Sequence, residues 1–375
     1  MIDRILAPLL QSRLGKGKVV VLLGPRQVGK TTLVKSIVEQ SGQPFLYYNG
    51  DNANIPELFH QRTAASLKAI IGEHKLVILD EAQNIAEIGL KLKLLVDTYL
   101  EIQLLVTGSS SLDLSHGVNE SLTGRKYEYH LYPISYAELR ENIGPLDARE
   151  NLEHRLVYGF YPEVINTPDE QEEVLLSLSS SYLYKDLLNL EDIRRVDLLR
   201  KILQALAFQV GSEVSYSEIG RTVQADNQTV ERYIDLLEQA FIIFRLSSLS
   251  RNLRSEIKRG RKIYFWDNGI RNALISNFIP FPLRQDKGAL WENFLISERL
   301  KLNHYTRYFA NHYFWRTHAQ KEIDYVEERN GVLRSYEFKW KQKRPQQSPK
   351  VFADAYPNST FEVISQENFE SFVMR

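Results

Sequence analysis

The run KVVVLLGPRQVGKTTLVKSIVEQ, residues 18–40, limits what this chain can fold into more than any other segment. A β-branched strand passes through a glycine-bounded loop into a helical sequence. The loop, Gly24, Pro25, Arg26, Gln27, Val28, Gly29, Lys30 and Thr31, has the spacing G-x-x-x-x-G-K-[ST] and is followed by Thr32. Glycines let such a loop wrap so that its N–H groups face phosphate oxygens. The helix N-terminus behind it adds partial positive charge. In that geometry Lys30 reaches the β- and γ-phosphates and the Thr31 hydroxyl ligates magnesium.

Two more buried strands fit the same plan. In HKLVILDEAQNI, Leu76 to Leu79 are apolar on both faces, as expected of a parallel strand covered by helices. The strand ends in Asp80 and Glu81. The first acid is placed to hold the magnesium hydration shell, the second to orient and deprotonate an attacking water. IQLLVTGSSSLDL ends in Thr107-Gly108-Ser109-Ser110, a polar tip expected beside the γ-phosphate. Ser110 and Ser111 read equally well as helix caps. A helical run near 88–100 supplies the crossover. The expected fold class is α/β, a doubly wound parallel sheet.

Composition narrows the classes further. A chain of 375 residues is expected to form two or three domains. Its 47 basic and 47 acidic residues cancel, so any nucleic-acid surface must be a local patch. It has no cysteine, which excludes disulfides and thiolate zinc sites and fits a cytoplasmic, reducing setting. The start, MIDRILAPLLQSRLGKGK, reads as a short amphipathic helix and not a signal peptide. No apolar run approaches ~20 residues, so no membrane span is expected.

The P-loop, LVILDEAQNI, LLVTGSSS and SLTGRKYEYHLYPISYAEL together resemble the AAA+ superfamily ATPases widespread in bacteria and archaea. The resemblance implies ATP as the nucleotide and a homo-oligomer as one possible assembly. It makes Arg125 a candidate arginine finger, against the alternative of a surface arginine paired with Glu128. It also implies a winged helix and a nuclease-like domain after the ATPase. The expected domains are 1–145, 146–275 and 276–375.

The middle region supports the second of these. From Leu146 to Leu199 the pattern is helical, broken at Tyr158–Pro162. Ser215-x-x-Glu218 reads as a capping box. Two amphipathic helices about the turn Gln224-Ala225-Asp226 give helix-turn-helix arithmetic, and AFIIFRLSSL with KIYFWDNGI would form the wing. The second helix exposes Gln228, Thr229, Glu231, Arg232, Asp235 and Glu238, a poor match to a phosphate-lined groove. The segment 251–262 favours DNA backbone contact through Arg251, Arg254, Lys258, Arg259, Arg261 and Lys262, with Glu256 its one acid. Simple solvation of these bases is the alternative. The basic stretch KWKQKRPQQSPK, 339–350, would extend such a surface.

The last hundred residues read α-β-β-β-α-β and resemble the restriction-endonuclease-like fold, whose signature is D…(D/E)-x-K. Here it maps to Asp324, Glu337 and Lys339, with Glu292 on the first helix and no proline directly before Asp324. Glu337 and Lys339 share a strand face while Phe338 points into the core. Glu292, Asp324 and Glu337 are expected to ligate magnesium or manganese, with Lys339 orienting the attacking water or holding an oxyanion. A cross-strand ion pair is the plain alternative. His304, His312 and His318 lack paired helix spacing and do not suggest zinc. Two functions remain open: an ATP-dependent DNA-processing nuclease, or an ATP-driven switch whose C-terminal module binds nucleic acid or a protein without cutting.

Overall fold

The computed structural model describes every residue except 1, 61–62, 110–121, 183–194, 251–259, 318, 342–345 and 375, and the side chains of 181–182. Ser110, Ser111, Arg251, Arg254, Glu256, Lys258, Arg259, His318 and part of the 339–350 stretch therefore lie outside the described residues. The chain divides into two compact units, residues 1–133 with 239–241, and residues 134–238 with 242–375. No described helix is long and apolar enough to cross a membrane.

The first unit begins with α1 (Ala7–Gln11), shorter than its amphipathic pattern suggests, with Leu6 and Leu10 buried. It then alternates strand and helix: β1 (Val19–Leu23), α2 (Lys30–Gln40), β2 (Phe45–Asn49), α3 (Asn54–Leu58), α4 (Ala64–Ile71), β3 (Leu76–Asp80), α5 (Ile88–Thr98), β4 (Gln103–Gly108) and β5 (Lys126–His130). The five strands form one sheet in the order β2-β3-β4-β1-β5, and every pairing is parallel. All residues of β1, β3 and β4 are buried. Continuous apolar runs are what a sheet covered on both faces requires.

The second unit opens with helices α6 (Tyr136–Ile143), α7 (Pro145–Glu150), α8 (Leu152–Tyr158), α9 (Pro162–Asn166) and α10 (Gln171–Ser177). The break at 159–162 falls where Gly159 ends α8 and Pro162 starts α9. Next come α11 (Val196–Phe208), β6 (Glu213–Val214), α12 (Tyr216–Val223), α13 (Asn227–Gln239), β7 (Ile243–Ser248), β8 (Arg261–Phe265) and α14 (Asn268–Leu274). The unit ends with α15 (Lys287–Tyr305), β9 (Asn311–Arg316), β10 (Glu322–Arg329), β11 (Val332–Phe338), α16 (Lys350–Ala355), β12 (Thr360–Ile364) and α17 (Phe369–Val373).

Seven strands of this unit form one sheet, in the order β12-β11-β10-β9-β7-β8-β6. β9, β10 and β11 are antiparallel neighbours, and β12 joins β11 in parallel. The sheet crosses the boundary expected near residue 275, because β9 pairs in parallel with β7 through Ser247–Tyr313 and Ser248–Phe314. Buried Asn293 on α15 fixes that helix to β8. Its Oδ1 accepts from the Phe265 N–H at 2.7 Å and its Nδ2 donates to the Phe265 carbonyl at 2.9 Å. This sets the neighbouring Glu292 against the end of β8.

Candidate active site

The phosphate-binding loop follows β1 and carries left-handed backbone at Gln27 (φ 61°) and Gly29 (φ 93°). Gly24 tolerates no side chain: a Cβ there would lie 2.1 Å from the Leu131 carbonyl oxygen. The loop is braced from the N-terminal segment by buried Arg4, whose Nη1 donates to the Val28 carbonyl at 2.7 Å and Nη2 to the Tyr132 carbonyl at 2.6 Å. Nothing in the sequence pattern pointed to Arg4, because its partners lie 24 and 128 residues away. Lys30 is buried at the start of α2 and donates to the carbonyls of Gly24 and Pro25, both at 2.8 Å.

The loop, Asp80 and Glu81 meet at the C-terminal edge of the sheet. Thr31 Oγ1 donates to Asp80 Oδ2 at 2.7 Å, Tyr47 donates to the same oxygen at 2.7 Å, and Thr107 donates to Oδ1. Burial, and then the hydrogen bond to Asp80, raise the Tyr47 hydroxyl well above its ordinary value. Glu81 sits in the left-handed region (φ 49°, ψ 46°), a conformation that costs a non-glycine residue ~1–3 kcal/mol. Its N–H donates to Thr107 Oγ1 at 3.2 Å. Gln83 Nε2 donates to Glu81 Oε2 at 2.5 Å and to Ser109 Oγ at 3.1 Å. Gln83 thus joins the candidate base to the β4 tip, a link the motif did not reveal. Thr31 and Asp80 fit a magnesium ion that takes most of its shell from water and phosphate.

Arg125 stands away from the loop. It adjoins Val19, at the start of β1, where its carbonyl accepts from the Val19 N–H at 2.9 Å. That is the sheet edge opposite the loop, about 13 Å from Leu23 at ~3.3 Å per strand residue. Its guanidinium pairs with Asp97, not Glu128, so it does not enter its own chain's phosphate site.

The C-terminal acids assemble around a residue assigned elsewhere. Asp324 on β10 accepts from the Phe338 N–H at 2.7 Å, which sets it across from Glu337 on β11. Lys339 Nζ donates to Glu337 Oε1 at 2.7 Å, with 44% of the lysine side chain exposed. Burial would lower the Lys339 ammonium, but Glu337 raises it. Glu292 Oε1 accepts from Tyr264 at 2.6 Å and from Lys262 Nζ at 3.1 Å. Lys262 Nζ also lies 2.5 Å from Glu322 Oε1. Burial would depress this ammonium, but Glu292, Glu322 and Asp324 hold it well above the lysine norm. Burial, then repulsion from Glu292 and Glu337, push Asp324 well above the carboxylate range.

Two expectations are corrected here. Lys262 is 2% exposed and ion-paired, so it is no part of a solvent-facing basic patch. Arg261 pairs with Glu231 at 3.1 Å and bonds Tyr216 at 3.0 Å. The three-carboxylate metal centre of Glu292, Asp324 and Glu337 does not form either. Among the described residues, no group of three or more histidine, cysteine, aspartate or glutamate side chains is placed to hold a metal ion. The Glu292 carboxylate is engaged by Lys262 and Tyr264 instead.

Residues 16–140 match a family model described as an AAA domain. Residues 149–279 and 287–371 match two domains of unknown function (DUF8612 and DUF4143). An uncharacterized protein of Mycobacterium tuberculosis is 28% identical over 340 residues, covering 89% of this chain and 73% of that protein. One of Methanocaldococcus jannaschii is 23% identical over 310 residues, covering 77% and 68%. The Thermotoga maritima RuvB Holliday junction branch migration motor aligns over 73% of this chain and 93% of its own, at 16% identity. The TM-score of that alignment is 0.33. The family match and the loop–Asp80–Glu81 geometry agree: residues 16–140 are similar to AAA domains and carry a P-loop with an acid pair at the sheet edge beside it.

Proposed function

We propose that this chain is an ATP-driven switch: its first unit hydrolyses ATP with magnesium, and its second unit holds DNA without cutting it. The observation that carries the first part is the joining of Thr31, Asp80 and Thr107, with Glu81, Gln83 and Ser109 beside them, at one sheet edge. Entering phosphates accept from the loop N–H groups and draw the Lys30 ammonium off the Gly24 and Pro25 carbonyls. The exchange favours binding, since charge-assisted hydrogen bonds are roughly twice as strong as neutral ones. Thr31 and Asp80 would hold a magnesium ion, which would supply neutralising charge to the bound phosphates. Glu81 takes the proton from the attacking water. Ser109 reads the γ-phosphate, and Gln83 relays its presence to Glu81.

The order α11, β6, α12, α13, β7, β8 supports a winged helix in the second unit. With Asp235 and Glu238 paired to Arg245, and Glu231 to Arg261, the acids of α13 are neutralised within the module. Gln228 is exposed on α13, where it could meet a backbone or base edge. The order α15, β9, β10, β11, α16, β12, with its parallel last pair, supports a restriction-endonuclease-like fold. We read its acid pocket as non-cleaving because Lys262 occupies it.

Lys30→Ala is expected to abolish ATP binding, measured by titration calorimetry. Glu81→Gln is expected to bind ATP but not turn it over; normal turnover in that variant removes Glu81 as the base. Duplex DNA anisotropy should rise with protein, fall with salt and shift on adding ATP, with no plasmid nicking in magnesium or manganese. Metal-dependent nicking lost in Asp324→Ala and Lys339→Ala would restore the nuclease reading.

A further inference from the structure

The carboxylates of the C-terminal pocket are arranged about an ammonium group. Lys262 enters from β8, Glu292 from α15, and Glu322 and Asp324 from the same face of β10. The lysine Nζ is 3.1 Å from Glu292 and 2.5 Å from Glu322. Its side chain is 2% exposed and its Nζ lies 5.4 Å from the Phe314 ring centroid, so the ammonium is shielded from bulk water. Tyr264, two residues along the strand, donates to the same Glu292 oxygen at 2.6 Å. The other Glu292 oxygen faces Gly211, where a Cβ would stand 3.4 Å away. Glu322 is met on its far side by Arg316, at 3.7 Å.

A divalent ion and a lysine ammonium compete for one kind of place, a dry pocket rich in carboxylate oxygen. Two charges of the same sign a few ångströms apart in such a pocket repel by several kcal/mol. We infer that the Lys262 ammonium is the resident cation of this pocket and stands where the fold would otherwise hold a divalent metal. The inference rests on the non-cleaving reading above and supplies its cause. A lysine charge cannot generate a metal hydroxide or polarise a phosphoryl oxygen as a Lewis acid does. It can hold the helix and two strands together.

The test uses the full chain carrying Lys30→Ala, so that the phosphate loop holds no nucleotide-linked metal. Mn2+ binding is read by electron paramagnetic resonance, and melting temperature is followed with and without Mn2+. The Lys262 protein should bind no Mn2+ that Asp324→Asn removes. Lys262→Met should bind one Mn2+ per chain at least about tenfold more tightly than its parent, and Asp324→Asn should abolish that gain. Where Lys262→Met is weakly folded, Mn2+ should raise its melting temperature and leave the parent's unchanged, because a ligand of the native state stabilises it. Mn2+ bound by the parent and lost on Asp324→Asn overturns the inference. So does a Lys262→Met protein that neither binds Mn2+ nor gains stability from it. Nicking of plasmid by the parent sinks the non-cleaving reading as well, whereas Mn2+ binding without nicking sinks this inference alone.

Discussion

Gln83 and Asp286 show what single side chains do here. Gln83 spans from Glu81 to Ser109, so its removal leaves the base present but unaimed. Gln83→Ala is expected to lower kcat for ATP about tenfold, a fraction of what a general base supplies, with KM nearly unchanged. Steady-state ATPase assays check this, and an unchanged kcat would show that Glu81 is held without it. Asp286 is gripped by Arg271 at 2.6 Å and Arg284 at 2.8 Å, both arginines being almost wholly buried. Burial would raise its carboxyl, but the two arginines outweigh it and bring it down to about 2. A depressed folded pKa contributes stability that is present above the ordinary aspartate value of about 3.9 and lost as pH falls through about 2. Asp286→Asn should destabilise by about 2 kcal/mol at neutral pH, the worth of a shift of under two pKa units at a part-exposed site. The gap to wild type in chemical denaturation should close between those two pH values.

At the scale of elements, the strongest signals were local. The strand–loop–helix at 18–40, the strand before Asp80 and the strand before Thr107 all lie where apolar runs and turn residues put them. Helix starts obey capping chemistry: Ser215 accepts from the Glu218 N–H, and Ser135 forms a full capping box with Glu138. Ser135→Ala should cost about 1 kcal/mol, read as a lower urea midpoint at constant slope. What failed was reading Lys262 as part of a surface charge run. Arg261 and Lys262 are neighbours in sequence, but adjacent strand residues point to opposite faces. One meets Glu231 and Tyr216, and the other is driven under the sheet to Glu292 and Glu322. Periodicity of two was legible in KIYFW; which face was buried was not.

For the whole molecule, the sheet that runs from β6 to β12 ties residues 196–274 to residues 287–373. A fragment of residues 276–375 would expose the β9 edge that β7 covers, and unpaired edges invite aggregation. We expect that fragment to be insoluble and residues 134–375 to melt in one cooperative transition, measured by calorimetry. A soluble, cooperatively melting 276–375 fragment would show the β7–β9 pairing to be dispensable.

The sequence by itself determined the strand–loop–helix at 18–40, the parallel sense of its sheet and the α-β-β-β-α-β succession at the end, because each depends on residues a few positions apart. Only the tertiary structure decided that Arg125 lies at the wrong edge for its own phosphates, that Arg4 and Gln83 brace the site, and that Lys262 fills the late acid pocket. Those outcomes depend on which distant strands become neighbours and which face of each is buried. Local spacing carries no record of either.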